Sequence, residues 1–247
     1  VKPILLDLMC GAGGCTEGYQ EAGFYVVGVD SKPQRNYCGG EFVQGDALVV
    51  LALLLAGEEW NGYVLADFAA IHASPPCQAS SSLRRLSPHI DYPELIPASR
   101  ELLKLSKLPW VIENVVGAAL LNPVTVCGST YCPTIVDEGT RFVIRRHRLF
   151  ETNFPVMVEP CTCSPHKGTT LGIYGGGTYQ GTRAEANPGG GNTRKANKAQ
   201  ASALMGIDWM TRTEMCQAIP PAYTRHIGSY LLAHLEATAS STTRGTA

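Results

Sequence analysis

Ile4-Leu5-Leu6-Asp7-Leu8-Met9-Cys10-Gly11-Ala12-Gly13-Gly14 starts apolar and closes in glycine. Ile4 to Leu8 fits a short strand buried on both faces, because its apolar residues do not strictly alternate with polar ones. Gly11 to Gly14 reads as a turn, and Cys15 to Ala22 as a helix ended by Gly23. Glycine in such a turn lets backbone approach a ligand where a side chain would clash. The alternation continues downstream. Tyr25 to Val29 and Phe68 to Ala73 read as strands, Ala47 to Ala56 and Ile96 to Leu105 as helices, and Trp110 to Glu113 as a further strand. Strands alternating with helices predict an α/β fold: a Rossmann-like parallel sheet with helices on both faces, binding a nucleotide-like ligand after its first strand.

From Glu151 to about Asn197 the pattern changes to Gly, Pro, Thr and Asn, including Gly175-Gly-Gly177 and Gly189-Gly-Gly191. This predicts an irregular insertion. Helical pattern returns at Ala199 to Met205, Arg212 to Ala218 and Arg225 to Ala237. The expected division is 1–150 for the catalytic body, 151–197 for the insertion, 198–237 for helices returning to the body, and 238–247 for a small, polar, disordered tail. A chain of 247 residues with 45% hydrophobic and 17% charged residues suits one such body with a small appendage. The net charge of −1 means that any attraction to phosphate must come from local clusters, such as Arg141 to Arg148 or the stretch holding Arg183, Arg194, Lys195 and Lys198. No apolar run is long enough to span a membrane, and strand pattern at Ile4 leaves no room for a signal peptide. Nine cysteines, an odd number, point to a reducing cytoplasm rather than a disulfide framework.

Two segments carry chemistry. Pro75-Pro76-Cys77-Gln78 places a thiol after a rigid, extended dipeptide at the end of a strand, and Glu113-Asn114-Val115 places a carboxylate at the end of an apolar run. A thiol and a protonatable carboxyl are what addition across a pyrimidine double bond requires. Asp30, ending the second strand, suits a ribose diol. Asp46 suits an adenine amino group or a helix N-cap. Arg146 and Arg148 stand at alternate positions, on one side of a strand if they lie on one.

In order and spacing these elements resemble the cytosine-C5 methyltransferases that use S-adenosylmethionine (SAM), over roughly Ile4 to Leu232. The resemblance implies that Asp7, Met9, Cys10, Gly11, Gly13, Gly14, Asp30, Asp46, Pro75 and Gln217 hold SAM. It implies that Cys77, Glu113, Arg146 and Arg148 are catalytic, and that Gln78, Ser81, Arg84, Arg85 and Asn114 meet the substrate. Met9 stands where the family usually has Phe, Ile144 where it has Gln, and Gln217 where it has Asn in the closing Gln217-Ala-Ile-Pro-Pro221 element. Leu204 to Asp208 resembles an element that braces the target-recognition region. The implied partner is double-stranded DNA, bound by a monomer and read over a short site. Residues Ala79 to Tyr92 are expected to close as a lid. The gap between the arginines and the closing element is short, as in compact bacteriophage methylases. The alternatives are the same chemistry on RNA, or a silent DNA- or SAM-binding protein. Cys161-x-Cys163-x-x-His166 has zinc-ligand residue types, with Cys127 or Cys132 as a fourth, but irregular spacing. It reads as a loop with incidental thiols, and no metal is expected.

Overall fold

The computed structural model describes residues 1–76, 94–161, 163, 169–174 and 194–244. The first half runs β1 (Ile4–Leu8), α1 (Gly14–Glu21), β2 (Tyr25–Asp30), β3 (Glu41–Gln44), α2 (Ala47–Leu55), β4 (Phe68–Ala73), α3 (Ile96–Ser106) and β5 (Trp110–Asn114), as the sequence predicts except for β3, which it does not announce. Two further strands complete the main sheet, β6 (Val124–Val126) and, after the short α4 (Gly128–Tyr131), β9 (Arg148–Thr152). The strand order is β3-β2-β1-β4-β5-β9-β6. β1 to β5 are parallel, and β9 runs antiparallel between β5 and β6.

The apolar runs are explained by burial on both faces. Leu5, Val26, Ala70 and Val111 join one core, and their sequence neighbours Leu6, Val27, Ile71 and Ile112 join the other. The second core is closed by Val50, Leu51 and Leu54 of α2 and Leu103 of α3. On the opposite face α1 contributes Cys15 and Tyr19. Against it lie α5 (Lys198–Met205), α6 (Arg212–Gln217) and α7 (Pro221–Arg244), which bring in Leu204, Met215, Tyr223, Ile227 and Leu231. Helix starts follow local chemistry. Asp46 caps α2 by accepting from the Leu48 and Val49 amides, and Asn197 with Gln200, and Thr211 with Glu214, form reciprocal caps on α5 and α6.

A second sheet joins two strands that precede residue 151 to two that lie within the predicted insertion. β7 (Ile135–Asp137), β8 (Thr140–Val143), β10 (Thr169–Gly172) and β11 (Arg194–Lys195) form it in the order β11-β10-β8-β7. β9 also carries the main sheet past residue 150. At the other end, the tail expected to be disordered from Thr238 continues α7 to Arg244. Hydroxyls there bond back along the helix, Thr238 to the carbonyls of His234 and Leu235, and Ser240 to that of Glu236.

Candidate active site

The strand order reverses between β1 and β4, since β2 and β3 lie to one side of β1 while β5 follows β4 on the other. At such a switch point the loops leaving the two strands diverge and open a crevice at the carboxyl ends. Here those loops are the glycine turn, Met9 to Gly13, and Ser74-Pro75-Pro76.

The turn takes three left-handed residues in quick succession, Met9 (φ 60), Gly11 (φ 52) and Gly13 (φ 89). It is held through its backbone amides: that of Cys10 donates to the Val29 carbonyl at 3.1 Å, and that of Gly11 to the Asp30 carboxylate, Oδ2, at 3.0 Å. The other Asp30 oxygen accepts from the Lys32 amide at 2.9 Å. A Cβ on Gly13 would lie 2.6 Å from Cys38 Sγ, and one on Gly14 would strike the Ile219 carbonyl, whereas one on Gly11 would meet nothing. The turn is therefore walled on two sides and open at Gly11. Gln217 is exposed, but its neighbours Ala218 and Ile219 supply the wall beside Gly14. Beneath the turn Asp7 is fully buried. Its Oδ2 accepts from Thr16 Oγ1 at 2.6 Å, and its Oδ1 has no partner. Burial lifts its pKa to about 7, against the Thr16 hydrogen bond and with help from the Asp30 and Glu113 charges. Asp46 spends Oδ1 on the α2 cap, at 2.9 and 3.2 Å from the two amides.

The second wall is built at the ends of β4 and β5. Glu113 is 5% exposed, and Arg148 Nε lies 3.1 Å from its Oε1. Antiparallel pairing makes this meeting possible: β9 begins where β5 ends, with Asn114 beside Leu149. Burial raises the Glu113 pKa above the usual carboxylate range. The Arg148 charge, a Ser74 hydrogen bond and the Arg146 charge oppose this without cancelling it. Asn114 donates to the Pro75 carbonyl at 2.9 Å, and its own oxygen accepts from the Val115 amide. Its side chain thus ties β5 to the segment that enters Cys77.

The two arginines part company. Arg148 faces Glu113 and also donates to the His147 carbonyl at 2.9 Å. Arg146 lies just before β9 and donates to the carbonyls of Ile173 (2.9 Å) and Cys216 (2.7 Å), while Tyr223 donates to the Arg146 carbonyl. Its Nε is buried without a partner, and burial, with the Arg148 charge beside it, lowers its pKa to about 10. Arg146 fastens β10 and α6 to the entry of β9.

A buried polar chain runs under the site, and the sequence reading misses it. Tyr19 Oη lies 2.9 Å from His72 Nδ1, and His72 Nε2 lies 2.9 Å from Ser74 Oγ, next to Glu113. Burial drops the His72 pKa to about 3, so the ring is neutral. The available signal was a polar residue inside the apolar strand Phe68 to Ala73, where it needs partners. Cys77, Gln78, Ser81, Arg84, Arg85 and the expected lid lie outside the described residues, as do His166, Lys167, Arg183 and Asn192 of the insertion.

No protein-family model matches the chain, and no curated protein does. Solved structures do. A protein described as a DNA modification methyltransferase encoded within an E. coli prophage aligns with a TM-score of 0.57 at 15% identity, over 95% of this chain and 99% of that one. The S. pombe Dnmt2 methyltransferase aligns at 0.53 and 14% identity with the same coverage. The chain thus has the mixed α/β architecture of these methyltransferases: a multi-stranded sheet flanked by helices. Among the described residues no helix is long and apolar enough to cross a membrane.

Proposed function

We propose that this protein transfers a methyl group from SAM to C5 of cytosine in DNA through a covalent adduct of Cys77. The observation that carries the reading is the buried Glu113–Arg148 pair at the end of β5, joined through Asn114 to the Pro75 carbonyl, two residues before Cys77. A carboxyl in that position keeps its proton more readily than an exposed one, as an acid directed at a ring nitrogen must.

The glycine turn suits SAM on its own terms. Gly11 is open to an approaching ligand, Asp30 stands at the ribose position of such sheets, and Asp7 holds an unpaired buried oxygen that a cationic ligand would favour. SAM would supply an electrophilic methyl group. The chain's part is to make C5 nucleophilic. The Cys77 thiolate adds to C6, Glu113 gives its proton to N3, and the electron pair that develops at C5 takes the methyl group. A base then takes the C5 proton, Cys77 leaves C6 as thiolate, and N3 returns its proton to Glu113, which restores the ring. Arg148 orients Glu113 and limits how far its pKa rises. Adding to a cytosine in this way requires the base to leave the duplex. The 151–197 segment is the reader of a short site, two to four base pairs in keeping with its length, in a compact, phage-like, monomeric enzyme.

Methyl transfer from tritiated SAM to duplex DNA, RNA and free deoxycytidine nucleotides tests the reading. DNA should be labelled at cytosine C5, and Cys77→Ser should abolish labelling while SAM still binds. Labelling of RNA alone would move the substrate, and turnover by Cys77→Ser would end the covalent mechanism.

A further inference from the structure

We propose that Cys127, His147, Cys161 and Cys163 form a tetrahedral structural zinc site beside the arginine strand. Their four donor atoms all lie within 4.8 Å of one another. His147 Nε2 is 3.3 Å from Cys161 Sγ and 3.5 Å from Cys163 Sγ, and Cys127 Sγ is 3.1 Å from Cys163 Sγ. Bonds of about 2.3 Å to sulfur and 2.0–2.1 Å to nitrogen put tetrahedral ligands roughly 3.6–3.8 Å apart, so a small contraction or expansion of this cluster receives the ion. The sulfur pair is well outside a disulfide, which needs about 2.05 Å. All three cysteines are free.

Three thiolates and one imidazole select zinc over the hard cations, and four protein ligands leave no position open for a substrate. The ligands come from three places: the start of α4, the strand entry between Arg146 and Arg148, and the loop after β9. Zinc would therefore lock the first turn of the insertion to the residues that flank the Glu113 partner. Ser129 Oγ, 3.0 Å from Cys127 Sγ and 3.3 Å from Cys163 Sγ, is placed to donate to a thiolate. The sequence suggested His166 and, as a fourth ligand, Cys127 or Cys132. The structure supplies His147, which the chain pattern hid 14 residues before Cys161. The inference is independent of the methyl-transfer reading.

Metal analysis of the full-length protein, purified under reducing conditions, tests it. Zinc should be present at about one ion per chain, and Cys161→Ser, Cys163→Ser and His147→Ala should each lower it several-fold, since structural sites use all four ligands. Cys132→Ser and His166→Ala should leave it unchanged. Cobalt in place of zinc should show tetrahedral d–d bands with a thiolate charge-transfer band, a readout that needs no variant to fold. Stripping zinc should lower the melting temperature, whatever the activity. Wild-type protein that is metal-free and takes up no cobalt would overturn the site. Retention of zinc by Cys163→Ser, or its loss from His166→Ala but not His147→Ala, would overturn the ligand set.

Discussion

Glu113 and Asp7 are two buried carboxyl groups with opposite needs. In the proposed mechanism Glu113 must hold a proton to serve N3, so kcat/KM should fall as pH rises through its elevated pKa. Replacing Arg148 by Met removes the largest opposing influence, raises that pKa further and should move the alkaline limb to higher pH. A limb that stays put in the pH profile of Arg148→Met would exclude Glu113 as the titrating acid. Glu113→Gln, which cannot give the proton, should lose on the order of 100-fold in rate. Asp7 acts on stability. Its folded pKa of about 7 exceeds the ordinary 3.8 of the side chain, so the folded chain binds the proton more tightly. That stabilisation is full below about pH 4 and is lost as pH rises to about 7, a swing on the order of 4 kcal/mol. Asp7→Asn stays neutral, so its melting temperature relative to wild type should climb between pH 5 and 8; a constant difference would mean that Asp7 does not carry the unpaired charge. Sequence pattern picked out Glu113 because a carboxylate ending an apolar run is conspicuous. It could not find the Tyr19–His72–Ser74 chain, whose members are ordinary residues 53 and 2 positions apart that meet only across α1 and β4. Nor could spacing show that Arg146 turns to backbone carbonyls while Arg148 turns to Glu113.

At the level of elements, one ion pair does much of the joining around β5. Arg100 of α3 meets Glu151 of β9 at 2.7 and 2.8 Å and also donates to the Ala119 carbonyl, while Glu151 accepts from the Leu121 amide at 2.8 Å. Helix, antiparallel strand and the loop after β5 therefore share one buried carboxylate. Removing a single partner strands the other charge, so Glu151→Ala should cost about 3–5 kcal/mol in denaturant unfolding. A loss below about 1 kcal/mol would mean that the pair is solvated. Unlike the four-residue β3, the strands β1, β2, β4 and β5 and the helices beside them were legible because each is an apolar or amphipathic run with a cap or glycine near its end. β6, β7, β8 and β10 were not. They have three or four residues each, too few to establish a period, and β7 and β8 show their purpose only when paired. The C-terminal residues mislead for a different reason: Thr and Ser are poor helix formers in isolation, yet bond back to their own helix here.

Across the whole molecule, the first and last helices close the structure. α1 and α7 touch at Gly18, where an added Cβ would strike the Pro221 carbonyl and Thr224 Oγ1 and lie 2.7 Å from the Arg225 amide; Thr224 Oγ1 already donates to the Cys15 carbonyl at 2.8 Å. Alanine is intrinsically the better helix residue by about 1 kcal/mol. Gly18→Ala should nevertheless destabilise by roughly 1–3 kcal/mol, because the obstruction is largely backbone and can yield only by separating the helices. A rise in melting temperature would refute the close approach. The second sheet has a different consequence. β10 and β11 lie side by side, Leu171 beside Arg194 and Gly172 beside Lys195, so residues 175–193 depart and return at neighbouring strands. In general, doubling the length of a flexible connection between two fixed ends costs only about 0.6 kcal/mol. The groups described above sit elsewhere, Asp7 on β1, Glu113 on β5 and Arg148 on β9, so a change of chain length between β10 and β11 leaves their register untouched. On the proposed methyl-transfer reading, a lineage carrying this scaffold could revise which sequences it addresses far faster than it could revise its chemistry.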